Sequence, residues 1–331
     1  MVYNKLPLPP RLDDPPRPKP DQHALEATAN RAAPGGGAAQ TGSGNGPATD
    51  RGDGSADSAD GNRQRDRFSD PRPLLLPFFW LLSSSLKSPQ EIYVFPPIWL
   101  PHPAQWGNYP EVVTELPFFL YTRNTLIITI PAMLGQVLTS SLAAYGFARL
   151  RFPGRDVAFG ALLATLMLPY AVTLIPVYIM FKAFGWLGTY LPLIVPFWFG
   201  GGAFNVFLLR QFFLTIPDEL EEAALLDGAG YLTIYWRIIL PLSVPALIVV
   251  TIFSFLFHWN DFLAPLIYLN DFHTWTLAMG VVLLKNASIG RRDTTNLLMA
   301  MSTMMITPII IIFFVAQRAF IQGIVLTGLK G

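Results

Sequence analysis

Beyond its first seventy or so residues, this chain is nearly devoid of charge. Residues 73–331 hold 25 of the 45 Lys, Arg, Asp and Glu side chains, fewer than one position in ten. A soluble domain carries roughly a quarter charged residues. The stretch therefore demands lipid as its solvent, and a large soluble enzyme is excluded. A helix crosses the bilayer core with about 20 predominantly apolar residues. Five segments reach that length, at 126–147, 157–180, 190–209, 242–269 and 297–316, and only the fourth contains a formal charge, Asp261. Pro131, Pro169, Pro176, Pro192, Pro196 and Pro308 fall inside these segments. Membrane helices tolerate proline where neighbours or water satisfy the freed carbonyls, so kinked spans lining a pathway are expected, with plain packing as the alternative.

A sixth apolar segment, 74–86, is too short. Its 13 residues before Lys87 rise only about 20 Å, against a hydrocarbon core of roughly 30 Å. Upstream, residues 1–72 contain 19 Pro or Gly and two aromatics, Tyr3 and Phe68. Such a composition cannot bury enough apolar area to offset chain entropy, so a disordered polar tail is expected there. No apolar signal-peptide core follows Met1 in the first thirty residues. If loop 210–241 is cytoplasmic, inner and outer loops of the spans carry similar numbers of Lys and Arg. The cluster Arg149, Arg151 and Arg155 in one short loop is the best local pointer to the inside. The absence of cysteine excludes disulfides, thiolate nucleophiles and Cys-ligated metals. A net charge of +1 gives no reason to expect nucleic-acid binding.

The long polar loop 215–241 carries the most information. Pro217 suits a first helical turn, and Asp218, Glu219, Glu221 and Glu222 suit the positive end of the helix dipole. Gly228 suits the left-handed position that stops a helix. Leu220, Ala223 and Ala224 fall at i, i+3 and i+4 and share a face that the alanines keep thin. A second short helix, 231–240, then leads to Pro241 and the next span. An interfacial helix on lipid headgroups would be rich in Lys and Arg on its polar face. Here five acids stand with one base within the loop, Arg237. An acidic elbow of this kind matches a basic protein cleft better than a lipid surface.

Glu222-Ala223-Ala224, Asp227-Gly228 and Ile238-Ile239-Leu240-Pro241 satisfy E-A-A-x3-G-x9-I-x-L-P at every position. This resembles the EAA loop of ABC-importer permeases. The surroundings resemble the second permease subunit of the carbohydrate type, the maltose and glycerol-phosphate group. The supporting stretches are Ser85-Leu86-Lys87, Asn108-Tyr109, Ala143 to Arg149, Phe152-Pro153-Gly154-Arg155, Trp259-Asn260-Asp261-Phe262, and Gly323 through Gly331. The resemblance covers about residues 80–331. It implies an all-α, polytopic helix bundle of the type I ABC-importer permease class in the cell membrane, with five clear spans and one shortened first span. It also implies a second homologous permease, a cytoplasmic ATPase dimer and an extracytoplasmic sugar-binding protein as partners. The elbow would be the coupling helix, with Glu222 as charged anchor, Ala223 and Ala224 as close-packing face, Asp227 and Gly228 at the turn, and Ile238, Leu240 and Pro241 leading back to the bundle. Family members begin with a full first span. Here that half is replaced by the polar tail, which leaves a shifted start or a genuinely shortened span.

No catalytic, cofactor or metal site is expected. The chain has no G-x4-G-K-[ST], so ATP would be hydrolysed on a separate chain. His23, His102, His258 and His273 form no metal-binding spacing. Asn286-Ala287-Ser288 is a formal sequon of weak specificity. About 29 Å of rise separates residue 242 from Asp261, which puts Asp261 near the outer interface. Trp259 could anchor there while Asp261 meets water or caps a loop. Alternatively, Asn260 and Asp261 line the outer mouth of the solute pathway. Gly200-Gly201-Gly202 reads as close helix packing before it reads as a hinge. The rival functions are an amino-acid or polyamine importer sharing the elbow, a secondary transporter, and an intramembrane enzyme built on His258 and Asp261.

Overall fold

The computed structural model of the chain describes residues 72–287 and 293–328. Residues 1–71 of the expected polar tail lie outside the described residues, as do Ser288, Arg291, Arg292 and the C-terminal Leu329-Lys330-Gly331. Every regular element among the described residues is helical. Among the described residues three helical stretches, Phe118–Arg149, Leu191–Phe213 and Thr295–Gln317, are long and apolar enough to cross a membrane, and up to five spans result if each of two bent pairs counts as one.

Hydropathy determines where the helices lie, and proline, glycine and capping residues determine where they break. The first helix, α1 (Arg72–Ser85), has 14 residues and rises about 21 Å, so it is short. The second, α2 (Phe118–Arg149), runs 32 residues through Pro131 and overshoots the expected 126–147 at both ends. The expected single span at 157–180 is two helices, α3 (Arg155–Ala164) and α4 (Tyr170–Ala183). With a short 3-10 turn extending α3 to Met167, the arms meet at 100°. Leu168 precedes Pro169, whose ring disfavours helical backbone at the residue before it, and Leu168 accordingly has ψ 116°.

The segment expected at 190–209 also breaks. It is helical from Leu191 to Trp198, opens at 199–202, and resumes as α5 (Ala203–Phe213). The three glycines there do different things. Nothing lies within 4 Å of a Cβ placed on Gly200. One on Gly201 would press into Ser140 and sit 2.7 Å from the Gln136 carbonyl. Gly202 takes φ 85°, the left-handed region open to glycine. Close packing and a bend thus coexist in one tripeptide.

After the elbow helix α6 (Glu219–Leu226), a short helix and a π-turn over Tyr235–Ile239 lead through Leu242 to α7 (Val244–Trp259) at an 81° bend. Pro241 lacks an N–H for the carbonyl four residues earlier, and a wider π-turn absorbs that loss. The bend itself falls at Ser243, two residues later than Pro241. The expected continuous span to residue 269 ends instead at Trp259, and a separate helix, α8 (Leu263–Tyr268), follows. Pro265, in the first turn of α8, has no N–H for the Asp261 carbonyl and cannot continue the helix across it, and two side chains bond at the junction. Asn260 Nδ2 donates to the Leu256 carbonyl at 2.9 Å, and Asp261 Oδ1 accepts from the Ala264 N–H at 3.2 Å. The Leu256 carbonyl also keeps its helical bond from the Asn260 N–H at 3.2 Å, while Asp261 caps the first turn of α8. Then come α9 (Leu277–Ala287) and α10 (Thr295–Gly328).

The bundle is organised on α2, which packs against α5, α7 and α9, while α10 packs against α1 and α7. Near the elbow, Tyr145, Leu209, Phe213, Ile234, Tyr235 and Val250 form a buried apolar cluster. Toward the other end, Val112, Tyr121, Trp259, Leu277, Leu297 and Met301 form a second. Polar clamps cross between helices: Ser141 with Tyr235 at 2.7 Å, His258 Nε2 with Gln136 at 3.0 Å, and Asn205 with Ser254 at 3.3 Å. Such bonds hold helices together where lipid supplies no hydrophobic drive between them. Trp259 belongs to this set and is not an interfacial anchor. It is 2% exposed and its indole N–H donates to the Met305 carbonyl at 3.1 Å.

Candidate functional site

The elbow folds for local reasons. Glu219, Glu221 and Glu222 occupy the first turn of α6, where the helix dipole favours negative charge. Gly228 stops the helix with φ 82°. The Gly228 N–H donates to the Leu225 carbonyl at 3.0 Å, and the Ala229 N–H reaches back to Ala224 at 2.9 Å. This is the paired bonding of a Schellman stop. Ala224 and Ala229 both pack on the elbow-side core, which supplies the apolar contact that such a stop favours.

The base that holds the elbow is Arg149, at the end of α2, and not Arg237, which is exposed. The Arg149 side chain is 3% exposed. One guanidinium nitrogen donates to the carbonyls of Phe213 at 2.6 Å and Ile216 at 2.5 Å, and another binds the Asp218 carboxylate. The cation therefore adds a bond to the last carbonyl of α5, which also accepts from the Ile216 N–H, and bonds the Ile216 carbonyl in the turn beyond, where the dipole favours positive charge. Glu221 lies 3.9 Å from the same guanidinium and 3.5 Å from the Tyr145 hydroxyl. Glu221 is buried. That burial pushes its carboxyl above the ordinary value, with Arg149 and the Tyr145 hydrogen bond pulling it partly back.

The residues singled out in the sequence divide between the two sides of the elbow. Glu222, Ala223, Asp227, Gly228 and Pro241 are exposed, whereas Ala224, Ile238 and Leu240 are half-buried against the core. The face read as Leu220, Ala223 and Ala224 is thus split: Leu220 and Ala223 face out and Ala224 turns in. Leu226 is 90% exposed at the tip, with Leu232 and Trp236 also exposed beyond the turn. The outward surface combines acids with large apolar side chains, which is unfavourable in water and suited to a protein partner.

Far along the chain, Asp261 lines a cavity of about 430 Å³ between α4, the 191–198 segment and α8. Tyr170, Phe181, Phe197, Phe257 and Tyr268 supply much of its wall. Asn260 is exposed and bonded to its own helix, so the structure separates the two residues that the sequence pairs. His258 is buried, with Phe197 edge-on at 4.4 Å. It is held by Gln136, not by Asp261.

A bundle of apolar helices, broken at proline and glycine and fitted with an acidic elbow, defines a multi-pass membrane permease. The chain belongs to the family of binding-protein-dependent transport system inner membrane components, whose family model matches residues 135–325. It is 32% identical over 245 residues to the diacetylchitobiose uptake system permease protein of Streptomyces coelicolor, covering 74% of this chain and 80% of that protein. It is 30% identical over 258 residues to the sn-glycerol-3-phosphate transport system permease protein of Yersinia pestis, covering 76% of this chain and 91% of that protein. In fold it is similar to a chain from the crystal structure of a bacterial ABC transporter involved in the import of the acidic polysaccharide alginate. That match has a TM-score of 0.68 and 24% identity, and covers 83% of this chain and 100% of that chain. The protein is accordingly a transport permease of the plasma membrane.

Sequence reasoning missed Arg149 as the elbow's anchor and Glu221 as its buried acid. Arg149 was legible only as part of a basic cluster. Its partners stand more than sixty residues away, beyond any spacing rule. The one usable signal was the contrast between five acids and a single base within the loop, which calls for a cation from elsewhere.

Proposed function

We propose that this chain forms half of the translocation pathway of an ATP-driven importer for sugars or related carbohydrates. Its partners are a second homologous permease, two cytoplasmic ATPase subunits and an extracytoplasmic binding protein. The reading rests above all on the elbow, an exposed acidic and apolar helix whose base is locked into the bundle by Arg149. A partner that grips α6 moves α2, α5 and the elbow-side core together. In this reading Glu222, Ala223, Asp227 and Gly228 meet the ATPase, while Ala224, Ile238 and Leu240 fasten the elbow to the bundle. ATP is hydrolysed on the partner chain, and closure of the ATPase pair is carried inward through the elbow.

The names of the diacetylchitobiose and glycerol-phosphate relatives support a carbohydrate or a related polyol phosphate as solute. The test is a mild-detergent pull-down of the tagged chain from its own membrane, with mass spectrometry of everything retained. Recovery of an ATPase, a second permease and a solute-binding protein is the expected result, and the binding protein can then be screened against sugars. Recovery of the chain alone at good yield would overturn the coupling assignment.

A further inference from the structure

The cavity around Asp261 has an uneven chemistry. Its volume of about 430 Å³ falls within the range of roughly 300–1,000 Å³ typical of small-molecule sites. Aromatic rings dominate one part of the wall: Tyr170, Phe181, Phe197, Phe257 and Tyr268. Tyr268 is held by neighbouring rings, edge-on to Phe181 at 5.3 Å and stacked with Tyr178 at 6.4 Å. Phe181 and Tyr268 are almost fully buried, and Tyr170, Phe197 and Phe257 are the rings left with open surface; such faces offer flat apolar area at little cost in conformational entropy, suited to the C–H faces of a sugar ring. Among the lining residues Asp261 is the one charged side chain, and no Lys, Arg or His accompanies it. Its capping bond to the Ala264 N–H engages Oδ1. A carboxylate has about four lone-pair sites across two oxygens, so acceptor capacity remains for hydroxyl donors.

We infer that Asp261 makes this cavity a charge filter, admitting neutral hydroxyl-rich solutes and rejecting anionic ones. The inference rests on the sugar-permease reading and narrows it. A neutral saccharide offers hydroxyl donors to the carboxylate and C–H faces to the aromatic wall. A uronate or a sugar phosphate brings a second negative charge into a site with few polar groups and no lining cation. Like charges repel strongly where water is scarce, and negative selection of this kind is a common source of specificity. By this criterion the chain parts from its glycerol-phosphate relative and sides with its diacetylchitobiose relative.

The experiment uses the complete importer, purified with its partners and placed in nanodiscs without the binding protein, so that the selectivity read is that of the permease. Saturation-transfer NMR measures binding of diacetylchitobiose, maltose, a disaccharide uronate and sn-glycerol 3-phosphate. The wild-type complex is expected to prefer the neutral probes by at least about tenfold. Asp261→Asn, which retains a capping oxygen, is expected to erase most of that preference. Asp261→Ser serves the same purpose if the Asn variant does not assemble, with assembly checked by co-purification. An unchanged preference in an assembled variant, or wild-type binding of the anions as tight as that of the neutral probes, overturns the charge filter and leaves the sugar permease standing. If the wild-type complex neither binds nor, with its binding protein restored, imports any saccharide in the panel, the sugar reading itself fails and the filter with it.

Discussion

Arg149 is the residue on which the elbow depends. Removing a partner from a buried ion pair leaves the other charge stranded, at a cost of about 3–5 kcal/mol. Because Glu221 stands 3.9 Å away, Arg149→Gln belongs at the lower end, about 3 kcal/mol. The Asp218 contact adds little, since that carboxylate is 81% exposed and surface pairs contribute roughly 0–1 kcal/mol. The variant should show faster proteolysis of 215–230 and reduced co-purification of the ATPase, with the remaining bundle intact. Glu221 gives the elbow a pH dependence of definite sign. Burial raises its folded-state pKa above the ordinary 4.5, so the folded form binds more protons than the unfolded one. Stability from this group is complete below the unfolded pKa and is lost as pH rises through the folded value. Amide exchange in 219–230, corrected for intrinsic rates, should therefore be slower at mildly acidic pH than at pH 8. Glu221→Gln should flatten the difference, and persistence of the full pH effect in that variant would assign it elsewhere.

At the scale of elements, the breaks matter more than the helices. Gly228 has φ 82°, and a Cβ placed there would meet nothing within 4 Å. Gly228→Val therefore meets no clash at its Cβ and costs at least the left-handed strain, about 1–2 kcal/mol. The spans should fold and the thermal transition should shift slightly, yet ATPase docking and solute uptake should fall sharply. Normal uptake would remove the turn from the docking surface. Gly201 is the opposite case, because its substitution meets the α2 backbone. Gly201→Ala should destabilise by about 1–3 kcal/mol through overpacking, while Gly200→Ala, made at an open position, should leave the melting temperature nearly unchanged. Much of this was legible in advance. The apolar segments, the acidic start of α6 and the glycine stop all follow from local chemistry. Pro169 marked a kink without giving its angle, because the bend depends on what the second arm packs against. The break at Asn260-Asp261 was only half visible: the polar pair and Pro265 mark it, but apolar residues resume at once and run through 269, so the segment reads as one span. The partition of the elbow into outward and inward residues was hidden as well, since it follows from Arg149 and the core beneath it.

For the molecule as a whole, α2 matters through its two ends. At one end Arg149 holds the elbow. At the other, Asn124 Nδ2 donates to the carbonyls of His273 at 2.8 Å and Trp275 at 3.0 Å, and Thr125 accepts from the Leu277 N–H at 2.8 Å. Asn124→Ala should loosen loop 270–276, seen as faster amide exchange there. It should lower uptake while leaving ATPase co-purification at the wild-type level, and parallel loss of both would mean that the substitution had disturbed the whole fold. With 32 residues, α2 is about 48 Å long, well beyond the roughly 30 Å of hydrocarbon it crosses. A helix of that length, unbroken apart from the one ladder bond that Pro131 cannot donate, behaves as a lever with a grip on each side of the bilayer. A rotation of a few degrees imposed at the Arg149 end becomes a displacement of a few ångströms at the Asn124 end, with the bilayer as fulcrum and no intermediate repacking in between.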